Sequence, residues 1–437
     1  MEYLPESDTY IVKQIVQIVP GGLIWAAVDV KLYELYLRDR YRLQYTRPPK
    51  LQSIPRQPVL GKDRPVSERR VDDDRTLPTS PSKARRCISK YKVPVVSAPS
   101  VKVLFTDRVF FYRPLGNDFG PLDLPTTHRY INFVDESCDA DSVIIHVTDY
   151  RRPTQCANSA YLASVYALIR FKMAPREIGS KFAAVPPTII PAFRDASRAS
   201  KCSFPITIEH CCEAIAESIR HGWIDWDDFD VETVERLQHV EYGDLNWIVE
   251  NKFLAFAGPS ADCVDEDGLE VHPPSYYAPL FKSLGISDVI RLNVANYDSS
   301  EFTSHGMRHH DLFFEDGSCP SAAIVEKFKA VVGAATGAVA VHCKAGLGRT
   351  ASMIGVAVME KYNVGAHAFI AWARIARPGS VIGPQQHFLR DMETGRSGSR
   401  QGSASVIGKK GEKGQAESLL RQKRKLMSNS QENVALN

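Results

Sequence analysis

Residues 337–362, GAVAVHCKAGLGRTASMIGVAVMEKY, leave few folds open to this chain. A short run of Val and Ala ends at a His-Cys pair, and two glycines punctuate the residues that follow. From Arg349 the apolar residues recur at helical spacing. The order buried strand, tight turn, helix is the unit from which parallel sheets with covered faces are built.

The turn also carries chemistry. Cys343 is followed by Lys344, Ala345, Gly346, Leu347 and Gly348, then by Arg349 and Thr350, giving Cys-x5-Arg-Thr. A glycine-rich turn leading into a helix N-terminus gathers backbone N–H groups and a positive dipole end, which together cradle an anion. The same positive end favours a nucleophilic thiolate over a thiol. Arg349 offers a planar fork matched to two phosphoryl oxygens. Thr350 is placed to offer its hydroxyl to the Cys343 sulfur, and His342 to orient the loop by hydrogen bonds. A buried structural cysteine is the commoner fate of this residue type, but a structural turn has no use for His, Cys, two glycines, Arg and Thr at this spacing.

The 437-residue chain is long enough for two or three domains. Its composition, 44% hydrophobic and 24% charged, is that of a globular protein. Net charge is +3, so nothing in the balance calls for a nucleic-acid partner and none is expected. No apolar run approaches the roughly 18 residues of a membrane span, and the N-terminal residues do not read as a secretory signal. Nine cysteines without C-x-x-C pairs indicate neither a disulfide framework nor a zinc site, so an intracellular, reducing compartment and no metal or cofactor are expected.

Strands alternate with helices over most of the length, predicting an α/β architecture. GGLIWAAVDV, DSVIIHVTDY, KFLAFAGPS, SDVIRLN and HHDLFF read as strands; ANSAYLASVYALIRFK, CSFPITIEHCCEAIAESIRHGW, AAIVEKFKAVVGAA and AHAFIAWARIA read as helices. Residues 37–102 are rich in Pro, Arg, Ser and Lys and read as a flexible insertion. Within it, Ser80-Pro81-Ser82-Lys83 has the form of a proline-directed phosphorylation site. Residues 393–437 read as a disordered basic tail, in which RQKRK (421–425) resembles a nuclear-import patch. An acidic stretch carries Asp225, Asp227, Asp228, Asp230, Glu232 and Glu235, and by itself it reads as a solvated helix face.

The loop is similar to the His-Cys-x5-Arg-Ser/Thr signature of cysteine-dependent phosphatases. HHDLFFEDGSCP (309–320), RPGSVIGPQQHFL (377–389), GDLNWIV (243–249), FRDAS (193–197) and DFGPL (118–122) narrow the resemblance to the cell-division-cycle-fourteen family of dual-specificity phosphatases. It spans about residues 100–392 and a short N-terminal piece. The resemblance implies two tandem phosphatase-like domains, each a sheet flanked by helices, joined by a helical linker. The corresponding ranges are 1–36 with 103–200 for the non-catalytic domain, 201–250 for the linker and 251–392 for the catalytic domain. In the first domain Val147 stands where the nucleophile would be.

The resemblance further assigns Asp316 as general acid, with Glu315 as the rival, and Gln385 as the residue that positions hydrolytic water, with Gln386 as the alternative. It implies phosphorylated proteins as partners, above all products of proline-directed kinases, with Ser-Pro sites followed by a basic residue. The carboxylates from Asp225 to Glu235 would line the groove for that residue. It implies a phosphocysteine intermediate, a role in cell division, and a place in nucleus and cytoplasm, at nucleolus, spindle pole or centrosome. Ala351 and Ala376 depart from the family's usual Gly and Cys, and the insertions at 37–102 and 261–272 depart from its length. Two other readings stand beside it. A phosphoinositide phosphatase has a similar loop, but Leu347 occupies the place of its second lysine. A non-catalytic phosphoprotein-binding module would not need Cys343, Arg349, Asp316 and Gln385 together.

Overall fold

The computed structural model describes residues 12–29, 101–139, 142–197, 199, 201–261, 263, 271–395 and 418–426. Most of the insertion, including Ser80, lies outside these residues. Two sheets organise the chain. The first contains β1 (Val12–Val19), β2 (Leu23–Val28), β3 (Val101–Phe105) and β4 (Val143–Asp149) in the order β1-β2-β4-β3. The second contains β5 (Leu245–Val249), β6 (Phe253–Phe256), β7 (Ile286–Arg291), β8 (Arg308–Asp311) and β9 (Ala338–His342) in the order β5-β6-β9-β7-β8. In each sheet an antiparallel hairpin forms one edge and the other strands run parallel. β2 and β9 are buried at every position because helices cover both faces of a parallel sheet.

The helices of the first half are α1 (Leu124–Ser137), α2 (Pro153–Arg170) and α3 (Pro175–Phe182). α4 (Ile208–Arg220) and α5 (Val231–Gln238) connect the sheets. The second half adds α6 (Pro274–Ser283), α7 (Ser300–Thr303), α8 (Ala322–Ala334), α9 (Gly348–Tyr362), α10 (Ala366–Ala376) and α11 (Pro384–Glu393). Local sequence sets several ends. Asp123 accepts from the Thr126 N–H to cap α1, and Thr207 with His210 forms a capping box on α4. Asn363, at φ +52°, closes α9 in the left-handed conformation and turns the chain into α10.

One apolar core runs from Val16 and Trp25 in the first half to Trp372 and Leu389 in the second. α4 packs against α2 on one side and α10 on the other, and Trp223 meets Trp372 with ring centroids 5.5 Å apart. Two differences from the sequence reading follow. Leu245–Val249, expected in the linker, is the edge strand of the second sheet, because its alternate partner Phe253–Phe256 lies one tight turn away. Residues 418–426, expected within a disordered tail, are helical and inserted, with Leu419, Leu420 and Lys423 buried. Two adjacent leucines in a Gly-, Ser- and Lys-rich neighbourhood gave too weak a pattern to be read as a docking segment.

The two halves diverge where chemistry begins. β4 continues past His146 to Asp149, so Val147 is a ladder residue paired with Ala26 and Phe105 and fully buried. β9 stops at His342, and the next residue is released into a loop. His146 is itself locked in the core, bonded to Thr106 Oγ1 at 2.7 Å and Tyr130 Oη at 3.0 Å. Burial lowers its pKa from 6.5 to about 3, so it is neutral in the fold and takes up a proton once unfolded. Its contribution to stability is therefore complete above pH 6.5 and is lost as pH falls toward about 3. His146→Gln should flatten the decline in urea midpoint between pH 7 and pH 4; an unchanged slope would show that His146 is not buried neutral.

Candidate active site

β9 delivers Cys343 to the centre of the second sheet's C-terminal edge. His342 pairs with Phe256 of β6 and Arg291 of β7, and its carbonyl accepts from the Leu292 N–H at 2.9 Å. Cys343, at 2% exposure, is the first residue past the ladder. The loop then turns at Gly346, whose φ is +65°, and a Cβ there would lie 2.0 Å from the Phe256 carbonyl oxygen. Only glycine meets both conditions. α9 begins at Gly348, where a Cβ would come within 2.7 Å of Gln385 Oε1.

Hydrogen bonds fix the tautomer of His342. Its Nδ1 lies 3.0 Å from the Cys343 carbonyl, which can only accept, so Nδ1 carries the proton. Nε2 is then an acceptor, and the Tyr297 hydroxyl, 2.7 Å away, donates to it. The Tyr297 oxygen in turn accepts from His309 Nε2 at 2.9 Å. Burial lowers His342 to about 3 and His309 to about 4, so both stay neutral near pH 7. His342, expected to orient the loop, donates to the Cys343 carbonyl.

Arg349 is 4% exposed and donates from Nη1 to the Phe314 carbonyl at 3.0 Å, while Nη2 lies 3.3 Å from Asp316 Oδ1. Asp316 and Gln385 line one cleft with Cys343, Gly317, Ala345, Leu347, Gly348, Ile382 and Leu419. Glu315 is exposed; its backbone carbonyl caps Ser318, and its side chain takes no part in the cleft. Of the two glutamines, Gln385 donates to the Ser318 carbonyl at 3.1 Å, whereas Gln386 accepts from Arg374 at 2.7 Å, away from the cleft. Tertiary placement thereby separates both adjacent pairs. The hydroxyl of Thr350 does not bond to the Cys343 sulfur as expected. It is buried, and neither it nor Arg349 Nε has a partner among the described residues. Two buried donors without acceptors, beside a cysteine at a helix N-terminus, fit a site built for an oxyanion.

Behind the loop lies Arg377, which is fully buried. It donates to the carbonyls of Gly346 (2.7 Å) and Ala345 (3.1 Å), and to Asp244 Oδ1 and Asn246 Oδ1 (2.7 Å each). Asp244 also receives the buried ammonium of Lys423 from segment 418–426. That segment begins at the cleft, where Leu419 and Leu420 pack with Ala345, Leu347 and Ile382, and reaches Asp244 four residues after Leu419.

The carboxylates from Asp225 to Glu235 lie outside the Cys343 cleft. Asp225 accepts from the N–H groups of Asp227 and Asp228, Asp230 caps α5, and Glu235 forms a two-pronged pair with Arg129. Asp227, Asp228 and Glu232 are exposed, and none of the six lines the cleft. Asp244, Arg377 and Tyr297 are the contributors that sequence reasoning missed. GDLNWIV and RPGS contained the first two, but nothing in either stretch indicated that they meet.

Two α/β units in tandem, the second with a Cys-x5-Arg loop at the C-terminal edge of its central strand, define a dual-specificity-phosphatase architecture. Residues 86–218 match the family model for the dual specificity protein phosphatase N-terminal half, and residues 276–361 match that for a polymorphic toxin system DSP-PTPase phosphatase. The chain is 41% identical over 292 residues to dual specificity protein phosphatase CDC14A of Mus musculus, covering 66% of this chain and 48% of that protein. It is 35% identical over 311 residues to tyrosine-protein phosphatase CDC14 of Saccharomyces cerevisiae, covering 66% and 54%. Among solved structures, Tk-PTP in the active form matches with a TM-score of 0.28 at 18% identity, over 34% of this chain and 96% of that one. The match thus spans about half the length of the curated relatives. This chain belongs to the CDC14 family of dual specificity phosphatases.

Because Arg377 is the partner of a buried carboxylate and of two loop carbonyls, Arg377→Met should destabilise the protein by about 3–5 kcal/mol. It should lower turnover of an aryl phosphate as well. Urea unfolding and initial rates on one preparation check this; a stable variant with full activity would show the loop to be self-supporting.

Proposed function

We propose that this chain is a cysteine-dependent protein phosphatase. It hydrolyses phosphoserine, and also phosphothreonine and phosphotyrosine, in phosphorylated proteins, and prefers Ser-Pro sites followed by a basic residue. Cys343, Asp316 and Gln385 lining one cleft, with Arg349 paired to Asp316, carry the reading. The Cys343 thiolate attacks phosphorus. The bond to the seryl oxygen breaks with its electron pair on oxygen, and Asp316 gives that oxygen its proton, since an unprotonated alkoxide leaves poorly. Arg349 and the loop N–H groups hold the non-bridging oxygens through both steps. In the second step water, placed by Gln385, attacks the phosphocysteine, and Asp316 takes its proton. The Thr350 hydroxyl, lacking a partner in the resting loop, is available to the sulfur as negative charge returns to it.

Substrate preference follows from the walls. Leu347 and Ile382 are buried apolar neighbours of the cleft and suit a proline ring. A buried, apolar Leu347 also removes the second cation that a polyanionic inositol ring would want. Segment 418–426 supports the basic preference by seating the Lys423 ammonium on Asp244, a place a substrate's basic residue would take by displacing the segment. Such substrates are products of proline-directed kinases, and a role in cell division within nucleus and cytoplasm accords with the family.

Asp316→Ala should lose on the order of 10²–10⁴-fold on phosphoserine peptides and far less on aryl phosphates, whose leaving groups need little protonation. Equal losses would remove Asp316 as the acid. Cys343→Ser should be inactive, and wild-type turnover should survive EDTA; a Cys343→Ser enzyme working at the wild-type rate would sink the mechanism. Asp244→Asn should erode the preference for Lys over Ala downstream of phosphoserine. The triple variant Asp227→Asn, Asp228→Asn, Glu232→Gln should leave that preference intact. Competition between the two peptides reads both, and the reverse result would restore the acidic stretch as the groove.

A further inference from the structure

The loop that presents Gln385 is bent into conformations it would not hold alone. Val381 and Gly383 both have φ of +57°. A β-branched residue adopts that conformation only where its surroundings enforce it. Part of the enforcement is local: Arg374, buried, donates to the Ser380 carbonyl at 3.2 Å, the Val381 carbonyl at 3.1 Å and Gln386 Oε1 at 2.7 Å. The rest comes from the half of the molecule without a nucleophile. Asp195, 5% exposed, accepts from the Gly383 N–H at 2.7 Å, the residue that precedes α11. Leu115 of the same half sits against Gly379, where a Cβ would be 2.6 Å from Leu115 Cδ1.

These contacts are themselves rigidly mounted. Phe193, two residues before Asp195, exchanges backbone hydrogen bonds with Ile206 at 2.8 and 3.0 Å and packs on Phe119 and Tyr161. Asp118 gathers the loop before it by accepting from Leu115 N, Gly116 N and the Tyr112 hydroxyl. Gly116 then lies so close to Ala196 that a Cβ would fall 2.2 Å from its carbonyl oxygen. DFGPL and FRDAS, far apart in sequence, thus form one support pressed on the loop 379–386.

We propose that Asp195 is a positioning residue for hydrolysis of the phosphocysteine, so that the non-catalytic half contributes to the second chemical step. The proposal rests on the phosphocysteine reading above. In that step the water oxygen bonds to phosphorus as the P–S bond breaks. The electron pair returns to Cys343, the water proton passes to the Asp316 carboxylate, and inorganic phosphate leaves. The Gln385 carboxamide is held at both ends, accepting from Ile382 N at 3.3 Å and donating to the Ser318 carbonyl at 3.1 Å. Releasing Gly383 shifts the start of α11 and this carboxamide with it. Cys343, Arg349 and Asp316 ride on β9, α9 and the loop after β8, which Asp195 does not touch, so formation of the intermediate is spared.

The test is rapid-quench kinetics on the full chain with a ³²P-labelled phosphopeptide, comparing wild type, Asp195→Ala, Asp195→Asn and Gln385→Ala. Asp195→Ala should lower kcat about tenfold while kcat/KM stays within about twofold, and labelled phosphoenzyme should accumulate in a burst approaching one per enzyme. Asp195→Asn retains a carbonyl oxygen for Gly383 and should recover most of kcat. Should Asp195→Ala fail to fold, Asp195→Ser, too short to reach Gly383, should give the same split. Parallel loss of kcat and kcat/KM with a lowered Tm and no burst, or no change at all, overturns the proposal. Absence of any phosphoenzyme in Gln385→Ala is a different failure, overturning the phosphocysteine reading and this inference with it.

Discussion

Arg377 is the contact on which the site depends. A guanidinium buried without partners would cost several kcal/mol, and here its charge is met by Asp244 and its other donors by Asn246 and the carbonyls of Ala345 and Gly346. The carbonyl of a trans peptide points opposite to the N–H of the same plane. By drawing two consecutive carbonyls backward, Arg377 turns the N–H groups of Gly346 and Leu347 away from itself. It thereby fixes the geometry of a glycine-containing turn. The same arginine joins the strand leading into the second sheet to the loop that leaves β9, so loop geometry and fold stability share one ion pair.

The two halves differ by little at the point where the Cys343 loop begins. Both centre on a parallel strand with a buried neutral histidine, His146 in β4 and His342 in β9. Three further ladder residues after His146 keep Val147 in the sheet, whereas the strand around His342 ends one residue before the thiol. His146 spends its two nitrogens on Thr106 and Tyr130, inside the core. His342 spends one on Tyr297 and the other on the backbone of Cys343. The first half is joined to the second by the common core and by the Asp195 contact to the loop that carries Gln385.

Charge counted along the sequence and charge usable at the site are different quantities. Half of the densest acidic run is folded back on its own backbone or paired with Arg129, while an isolated aspartate in GDLNWIV receives a lysine from almost 180 residues away. Burial explains the difference in strength: an exposed carboxylate is screened and contributes little, whereas one at 1% exposure must be paired.

Much of this molecule was legible without coordinates. The strand–turn–helix order around Cys343, the anion cradle, Arg349 and the α/β class follow from residue types at short spacing, because periodicity and backbone chemistry act locally. The tandem phosphatase-like architecture and the roles proposed for Asp316 and Gln385 came from motif resemblance. Only the tertiary structure separated Asp316 from Glu315 and Gln385 from Gln386, since adjacent residues differ in direction, and direction is set by packing. It alone brought Asp244 and Arg377 together, linked Tyr297 to His342, seated 418–426 in the cleft and set Asp195 under Gly383. Each of these is a meeting of residues far apart in the chain, and such meetings are decided by how the two sheets and their helices close around a common core, which no local pattern encodes.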